Sequence, residues 1–391
     1  MRIVYSFPHP SDTLAGERAG HVVRANSLLR ALEDLGHEVV RVEGAGLPST
    51  SLAVGTYRRA VDGLLPPRVA ASIRDSGRLV HSRQFARRLL QVVEERPADV
   101  ILETEVVFAT AGARASRRTS VPLVLDDVSP AWESATHYGL ALTAPARRAR
   151  CASLGQAQLV VAVNELVRGD LLEEGVVPDK LVVVENGVDD AFFSASAHRC
   201  EQRRALGIGD RELVIGFVGS FQPFHGVDLL VRAFAARGAA PGARLLLVGA
   251  GDGLSATRAL VDELGLTEQT VFAGRVPHRD VAPILGAIDV AVLPETSGYT
   301  NPMKLYEYLA AARAIVAPRR PGVSAILTDE RDALLFEPGD ADALASALGR
   351  LAGDPGLRSA LGRNAVARAE GQTWHDRADR LVAAIAERAG T

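Results

Sequence analysis

Twelve short runs of aliphatic and β-branched residues, separated by longer amphipathic stretches, constrain the fold of this chain more than any other feature. This alternation predicts parallel βαβ units. Several runs are apolar throughout, which is typical of strands covered on both faces. Six predicted strands lie in each half of the chain: Arg2–Phe7, Glu38–Val42, Val100–Glu103, Leu123–Asp126, Leu159–Val163 and Leu181–Val184, then Leu213–Val218, Arg244–Val248, Thr270–Ala273, Val290–Leu293, Ala314–Ala317 and Ala333–Phe336.

The two series of strands predict two doubly wound α/β domains, because 391 residues are too many for one hydrophobic core. We place an N-terminal domain at 1–195 and a C-terminal domain at 205–372. The Ser-, Ala-, Arg- and Gly-rich segment Ala191–Asp210 is the predicted linker. Residues 373–391 should form a helix that packs back toward the N-terminal domain. Ligands of open α/β sheets bind beyond the carboxyl ends of the strands, so the loops after each strand should carry the chemistry.

Composition excludes several classes of protein. The net charge of −3 gives no reason to expect nucleic-acid binding. Two cysteines support neither a disulfide framework nor a thiolate metal site, and the nine histidines do not pair at ligand spacing. The D-x-D of Asp340 and Asp342 is typical of a helix N-cap. We therefore predict no metal and no cofactor.

The N-terminal sequence MRIVYSFPHP predicts a first strand and not a secretory signal. No apolar run approaches the roughly 18 residues that a membrane-spanning helix needs. Together these features predict a cytoplasmic location.

The loop and helix from Leu293 to Ala317 give the strongest signal of a ligand site. A helix should begin close to Pro302, and the unpaired amides of Met303 and Lys304 at its start can hold an anion. Lys304 adds a positive charge, and Glu307 lies one turn further along the same face. This pattern suits a diphosphate beside a pair of ribose hydroxyls. An ordinary Lys–Glu pair on an amphipathic surface helix explains the segment equally well.

The segment from Gly216 to Asp228 is a second candidate. Gly219 follows a strand and lets the backbone approach a phosphate. His225 lies at a helix start, where an adjacent diphosphate would hold it as a cation. A cap or a packing residue is the alternative role for this histidine.

Two further loops follow strands in the second half. The V-G-A-G-D-G of Val248–Gly253 lacks the third glycine of a dinucleotide fingerprint, so a tight turn explains it as well as a ligand does. Arg275 and the backbone of Val276 follow the next strand and suit a nucleobase, although a surface arginine is an equal alternative.

The first half of the chain carries three candidates. Gly20 should lie where the first helix begins, open to the cleft between the domains, although a plain turn is the default explanation. Asp126 and Asp127 end a strand and either orient an acceptor hydroxyl or cap the next segment. We favour the acceptor role.

The segment 57–88 holds eight arginines against Asp62 and Asp75. It predicts either a basic surface for an anionic lipid or membrane face, or a solvated arginine-rich helical pair. The residues alone favour the second.

Six of these segments, in this order, resemble glycosyltransferase family 4, whose members have the GT-B fold of two Rossmann-like domains facing each other across a cleft. The resemblance spans nearly the whole chain and rests on AGHVVRANSLLRALEDLGHEV, KLVVVENGVDDAFF, FVGSFQPFHGVDLLVRAF, LLLVGAGDG with VFAGRVP, PMKLYEYLAAARAIVAP, and FEPGD with the closing TW.

The resemblance implies roles for individual residues. Glu307 corresponds to the second glutamate of the family's E-x7-E motif, at the donor ribose or sugar. Met303 and Lys304 fall where amides meet the donor phosphates, Arg275 and Val276 at the nucleobase, and Gly20 at the glycine loop. The chain departs from the family at Tyr299, which replaces the first glutamate, and at Ser220 and His225, which replace the phosphate-binding arginine and lysine. We also expect Asn301, in the same loop as Tyr299, to bind the donor.

The resemblance implies a hexosyltransferase-type glycosyltransferase that moves a sugar from a UDP-, GDP- or dTDP-sugar to an acceptor hydroxyl of a carbohydrate, lipid-linked or small molecule. It also implies retention of anomeric configuration and no metal. Glu307, Lys304 and His225 would be the catalytic residues. The alternatives are a UDP-sugar 2-epimerase-like enzyme, a dinucleotide-dependent oxidoreductase and a non-catalytic sugar-nucleotide-binding protein.

Overall fold

A computed structural model describes residues 1–15, 20–47, 65–129, 139–236 and 242–389. Every predicted strand is present, and most ends agree to within one residue. The strands are β1 (Arg2–Phe7), β2 (Glu38–Glu43), β3 (Val100–Thr104), β4 (Leu123–Asp127), β5 (Leu159–Ala162), β6 (Leu181–Val183), β7 (Leu213–Val218), β8 (Ala243–Val248), β9 (Thr270–Gly274), β10 (Val290–Val292), β11 (Ala314–Pro318) and β12 (Leu334–Phe336).

Fourteen α-helices occur in the described residues. They are α1 (Gly20–Asp34), α2 (Pro67–Glu95), α3 (Ala111–Thr119), α4 (Thr143–Gln156), α5 (Glu165–Glu173), α6 (Arg199–Ala205), α7 (Val227–Ala236), α8 (Leu254–Glu263), α9 (Val281–Ala287), α10 (Met303–Ala310), α11 (Pro321–Ile326), α12 (Ala341–Gly353), α13 (Pro355–Ala369) and α14 (Trp374–Ala389). Asp340 caps α12 as predicted, since its Oδ1 accepts from the amides of Asp342 and Ala343 at 2.9 Å.

The chain forms two compact units, of which unit 1 comprises Met1–Glu185 and Trp374–Thr391. Its sheet is parallel, with strand order β2-β1-β3-β4-β5-β6. The C-terminal helix α14 belongs to this unit and packs on α1, with Leu381 and Ile385 buried. The strand order changes direction between β1 and β3, so the ends of these two strands form the crevice where open sheets bind ligands.

Unit 2 comprises Asn186–Thr373 and contains the second sheet. Its strands are also parallel, in the order β12-β11-β10-β7-β8-β9. Two hydrophobic clusters cover the two faces of this sheet. The order changes direction between β7 and β10, so the loops after these two strands border the ligand crevice of a doubly wound sheet.

The chain divides at Glu185 and Asn186, before the segment Ala191–Asp210 that the composition favoured as a linker. That segment instead folds as a 3₁₀ turn at Asp190–His198 followed by α6, and both pack on α9 of unit 2. The fully buried Arg203 holds it there, donating to the carbonyl of Ala287 at 3.1 Å and to Asp289 at 2.7 Å. The polar composition of the segment gave no indication that Arg203 would be buried.

No helix in the described ranges is both long enough and apolar enough to cross a bilayer. The longest, α2, has 29 residues and carries six of the eight arginines of segment 57–88. The other two, Arg58 and Arg59, lie outside the described residues. Four of the six on α2 are exposed: Arg68, Arg83, Arg87 and Arg88.

Candidate functional site

The loops that follow β7 and β10 meet at the crevice of unit 2. Gly219 comes directly after β7, and Lys304 is the second residue of α10, which follows β10. A Cβ atom added to Gly219 would lie 2.7 Å from Nζ of Lys304 and 2.9 Å from Cζ of Phe217. Only a glycine at position 219 leaves room for the Lys304 ammonium to lie against the loop that follows β7.

The ammonium of Lys304 is buried and has no hydrogen-bond partner in the described part of the chain. Its Nζ lies over the ring of Phe217, 4.8 Å from the centroid. Burial lowers the pKa of Lys304 to about 8, against the opposing attraction of Glu307. A buried cation without a hydrogen-bond acceptor is costly, so this arrangement indicates a site for an anion.

The first amides of α10 lie beside this cation. No side chain caps the helix, and the N–H groups of Met303 and Lys304 have no acceptor among the described residues. Pro302 precedes the helix in an extended conformation. Unpaired amides at a helix start favour an anion, as the sequence predicted.

The loop before α10 is anchored at several points. Arg320 binds the carboxylate of Glu295 through two hydrogen bonds of 3.0 and 2.9 Å. The amide of Gly322 donates to the carbonyl of Gly298 at 2.8 Å. These contacts hold the loop in place without any ligand.

Asn301 was expected to bind the donor, but the structure uses its side chain to hold the loop. Its Oδ1 accepts from the amide of Asn186 at 3.2 Å, and its Nδ2 donates to the hydroxyl of Tyr306 at 3.0 Å. Asn301 is buried. Its side-chain amide is thus engaged on both sides, and the donor-binding role of Asn301 stays a prediction. Tyr299, two residues earlier, is half-buried in the same loop.

His225 was expected to be held as a cation by an adjacent diphosphate, and this stays a prediction. Burial lowers the pKa of its imidazole to about 4, and repulsion by Lys304 adds to the effect. Its Nδ1 donates to the carbonyl of Ser220 at 2.6 Å and also lies 3.2 Å from the Ser220 hydroxyl. The charge of Lys304 therefore disfavours a second cation at His225 unless an anion compensates for it.

Glu307 is buried and has a partner that sequence reasoning missed. Nε2 of His278 donates to Oε1 of Glu307 at 2.9 Å, and Nδ1 of His278 lies 3.8 Å from Oδ2 of Asp189. His278 follows Arg275 and Val276 in R-V-P-H, after β9. The only sequence signal was a histidine in a loop after a strand, and its partner lies 29 residues away.

The remaining loops of unit 2 divide into packed and exposed residues. A Cβ on Gly249 would lie 1.8 Å from the carbonyl oxygen of Gly219, so the glycines of V-G-A-G-D-G permit two loops to touch, which favours the tight-turn alternative. Arg275 is exposed, and Val276 is half-buried against the core. Their exposure fits a residue that contacts a nucleobase and a residue of a surface loop equally well, so the nucleobase role stays a prediction.

Asp126 and Asp127 end β4 as predicted, but neither is available to an acceptor hydroxyl. Both are buried and paired with arginines: Arg24 contacts Asp126 at 2.8 Å, and Arg150 contacts Asp127 at 2.7 Å. The acceptor role that we favoured for these carboxylates is therefore corrected to internal ion pairs. Gly20 is the exposed first residue of α1, where the sequence placed it.

Unit 1 also buries one carboxyl group, that of Glu103, which the sequence did not single out. Glu103, on β3, accepts from the hydroxyl of Ser6 at 2.6 Å and from the amide of Gly112 at 2.7 Å. Burial raises the pKa of Glu103 to about 7. Burial likewise raises the pKa of Asp127 to about 7, although Arg150 opposes the shift.

The crevice of unit 2 therefore combines a buried ammonium, two unpaired helix-start amides and a histidine-bound carboxylate. Together the ammonium and the amides match a group with several anionic oxygens, such as a diphosphate. The carboxylate one turn further along can accept hydrogen bonds from neighbouring hydroxyls.

Comparisons with known proteins show the family of the chain. The family model described as Glycosyltransferase Family 4 matches residues 18–192, and the one described as Glycosyl transferases group 1 matches residues 212–354. A D-inositol 3-phosphate glycosyltransferase of Acidothermus cellulolyticus is 31% identical over 368 residues, which cover 87% of this chain and 79% of that protein.

Two solved structures share the fold. HepE of Anabaena in complex with UDP has a TM-score of 0.74 at 17% identity, with 99% of this chain and 100% of that chain covered. Sucrose-phosphate synthase of Thermosynechococcus elongatus has a TM-score of 0.76 at 19% identity, with 99% of each chain covered. The two six-stranded parallel sheets and these neighbours together show the GT-B fold. The chain belongs to glycosyltransferase family 4 and is a glycosyltransferase.

Proposed function

We propose that this glycosyltransferase takes its sugar from a nucleoside-diphosphate donor that unit 2 binds, while unit 1 binds the acceptor. The observation that carries the proposal is the buried ammonium of Lys304, which has no hydrogen-bond partner in the described chain and lies beside the unpaired amides that begin α10. Transfer would proceed with retention of anomeric configuration, and no metal ion would be needed at the diphosphate.

Lys304 would act on the leaving group. Breaking the bond between sugar and diphosphate places negative charge on the departing nucleotide. Fixed cations and amides that meet this charge are worth about 2–4 kcal/mol each in the barrier. Lys304 and the Met303 amide would provide such contacts, with Gly219 and Ser220 bordering the same anion. An incoming diphosphate would raise the low pKa of His225, which would then take up a proton and become a second cation.

Glu307 would hold the ribose or the sugar. Its Oε1 accepts from His278, which leaves lone pairs on both oxygens for hydroxyl groups of the donor. His278 would be a positioning residue, because its hydrogen bond orients the carboxylate. Arg275 and Val276 would lie at the nucleobase, and Tyr299 would complete the donor site in unit 2. A donor contact at Gly20 stays a prediction.

A uridine nucleotide is the first donor to test, because HepE binds UDP. Thermal-shift and calorimetric titrations with UDP-, GDP- and dTDP-sugars measure binding directly, since a ligand of the native state raises its stability. The proposal predicts stabilisation by one class of nucleotide sugar without added metal. If none of the three classes shifts the melting temperature, the donor assignment is wrong.

D-inositol 3-phosphate is the first acceptor to test, because the relative from Acidothermus cellulolyticus is named for it. The product of a preparative reaction would be analysed by NMR. Retention predicts the same anomeric configuration in donor and product. An inverted product would remove the retaining mechanism. A free epimerised sugar would instead support the epimerase alternative, and binding without turnover would support the non-catalytic one.

Peripheral contact with a membrane is a proposal that rests on α2. Its exposed arginines are accompanied by the exposed apolar side chains of Val69, Ile73 and Val80, which are 46%, 40% and 42% accessible. Such a helix surface suits an anionic lipid face. In a flotation assay, the protein should rise with vesicles containing phosphatidylglycerol at low salt and stay behind with phosphatidylcholine alone. Equal recovery with both would remove this proposal.

A further inference from the structure

The crevice of unit 1 contains a group of side chains that the donor site does not use. Strand β1 ends at Phe7, and the chain then passes through His9 and Asp12 to His21, the second residue of α1. This path leaves the sheet at its change of direction between β1 and β3, where doubly wound sheets bind their ligands.

Three potential metal ligands converge at this place. Oδ2 of Asp12 lies 2.9 Å from Nε2 of His21 and 3.5 Å from Nδ1 of His9. One ligand atom of each of the three residues lies within 4.8 Å of the other two. Bonds of about 2.0–2.1 Å to a tetrahedral ion place ligand atoms roughly 3.3–3.5 Å apart. The two separations from Asp12 lie around this value, and the ligand nitrogens of the two histidines lie within 4.8 Å of each other, so rotations of the side chains would complete the site.

A second observation supports a ligand here. Nε2 of His21 is buried and has no hydrogen-bond partner among the described residues, although Asp12 lies at ion-pair distance. A buried polar atom without a hydrogen bond requires an explanation, and an ion is one of them. A metal bound to this nitrogen and to Asp12 would satisfy both groups.

We propose that His9, Asp12 and His21 bind a divalent first-row metal ion, with zinc the first candidate. Two imidazole nitrogens and one carboxylate oxygen form a donor set that favours zinc and its neighbours over magnesium or calcium. Three protein ligands leave a coordination position open for water or for an oxygen of a bound molecule. The three ligands all belong to unit 1, and none of them is a residue of the proposed diphosphate site.

The surroundings set the conditions for binding. Nδ1 of His9 accepts the amide proton of Asp12 at 3.0 Å, so it already presents a lone pair, and the metal would replace this bond. Arg78 and His81 of α2 are near enough to act on His9, and Arg78 is ion-paired with Asp75 at 3.2 Å. These groups oppose a cation, so the carboxylate of Asp12 should be essential. The sequence did not predict the site because the three residues span a loop and a helix start.

The test is a metal titration of the full chain without an affinity tag and after treatment with a chelator. Zinc binding would be measured in competition with a chromophoric chelator, and cobalt binding by its visible absorption. We expect one strong site per chain and an intense cobalt band typical of four or five ligands. His9→Ala, Asp12→Asn and His21→Ala should each weaken zinc binding at least about tenfold, because loss of even an outer-shell partner costs 10- to 100-fold. His198→Ala, which alters an exposed histidine 4.0 Å from Glu201, is the matched control and should bind as the wild type does.

Equal zinc affinity in the wild type and His21→Ala would overturn the proposal, as would a wild-type cobalt spectrum no stronger than that of the aqueous ion. Circular dichroism of each variant establishes that the fold is retained. If an alanine variant fails to fold, Asp12→Asn decides the question, because asparagine keeps the shape of the side chain and removes its charge.

Discussion

Nζ of Lys304 lies 4.8 Å from the centre of the Phe217 ring, so that an ammonium from α10 rests on an aromatic face from β7. The ring stabilises the cation in part but accepts none of its hydrogen bonds. The position of this one group connects the strand order of unit 2 to donor recognition, because β7 and β10 flank the point where the sheet changes direction.

Donor binding should depend on pH through Lys304. Burial holds the pKa of its ammonium at about 8 in the ligand-free protein, so the charge that attracts a diphosphate is present below pH 8 and lost above it. The affinity for UDP should therefore fall as the pH rises from 7 to 9.5. Lys304→Arg keeps its charge over this range and should give a shallower profile, whatever its absolute affinity. Calorimetry at a series of pH values would check this, and equal slopes in the two proteins would contradict it.

Gly219→Ala should weaken donor binding while the fold is retained. The new methyl group would overlap Nζ of Lys304 and Cζ of Phe217, and overpacking of this kind costs about 1–3 kcal/mol. Because the flexible lysine moves more easily than the ring, the ammonium should be displaced and the Kd for UDP should rise. Gly155→Ala is the matched control, since its Cβ would enter open space on α4. Unchanged UDP affinity in Gly219→Ala would show that the position of the ammonium is unimportant.

His278→Ala should lower kcat/KM for the donor by about 10- to 100-fold, because a hydrogen bond to a charged group contributes about 1.5–3 kcal/mol. The hydrogen bond to Glu307 acts only through that carboxylate. The double variant His278→Ala/Glu307→Gln should therefore be no slower than Glu307→Gln alone. His278→Gln, whose amide NH2 can lie near the position of Nε2 and still donate a hydrogen bond, should recover part of the rate. Strictly additive losses would mean that His278 acts independently of Glu307.

Glu103 should make unit 1 less stable as the pH rises. Its carboxyl keeps a proton in the folded state up to about pH 7, compared with an ordinary value of 4.5. The native state therefore binds more protons than the unfolded state between these values, and the free energy of unfolding falls across this window. Glu103→Gln stays neutral and should be more stable than the wild type at pH 7.5, by about 1–3 kcal/mol, with little difference at pH 4.

Denaturant unfolding at the two pH values would measure the Glu103 effect. Glu173→Gln, at an exposed position at the end of α5, provides the control and should leave both values nearly unchanged. A wild-type advantage at pH 7.5 would mean that the folded protein prefers the charged carboxylate.

The fold could be predicted because its signal is repeated and local. Each strand of the two sheets is a short apolar run in its own right, and β1 and β7 begin and end at the predicted residues. The same approach did not work for Ala191–Asp210, which was predicted to be a linker but folds as part of unit 2. Arg203 is charged in the sequence, yet it is fully buried by contacts with a strand start and a helix end that are remote along the chain.

The candidate site was predictable where one loop carries the chemistry. Lys304, Met303 and Glu307 lie on a single helix start, so a proline, a lysine and the helical period were enough to find them. Partners across different loops were not predictable. His278 lies in the loop after β9 and Glu307 lies on α10, and only the fold brings them together.

Ion pairs and pKa values were likewise not predictable from the sequence. The sequence shows that Asp126 and Asp127 end a strand but not that Arg24 and Arg150 meet them in the interior. The sequence likewise gives His225 an ordinary pKa, whereas burial next to Lys304 makes it neutral. Such effects depend on distance and desolvation, and neither can be read from spacing along the chain.

The most direct test of the account compares UDP with uridine in the wild type and in Lys304→Met, a variant of similar length without the charge. If the ammonium binds the diphosphate, calorimetry should show UDP binding weakened by about 30- to 700-fold, the equivalent of 2–4 kcal/mol, while uridine binding is unchanged. Equal affinity for UDP in the two proteins, or a parallel loss for UDP and uridine, would contradict the central claim that Lys304 recognises the diphosphate of the donor.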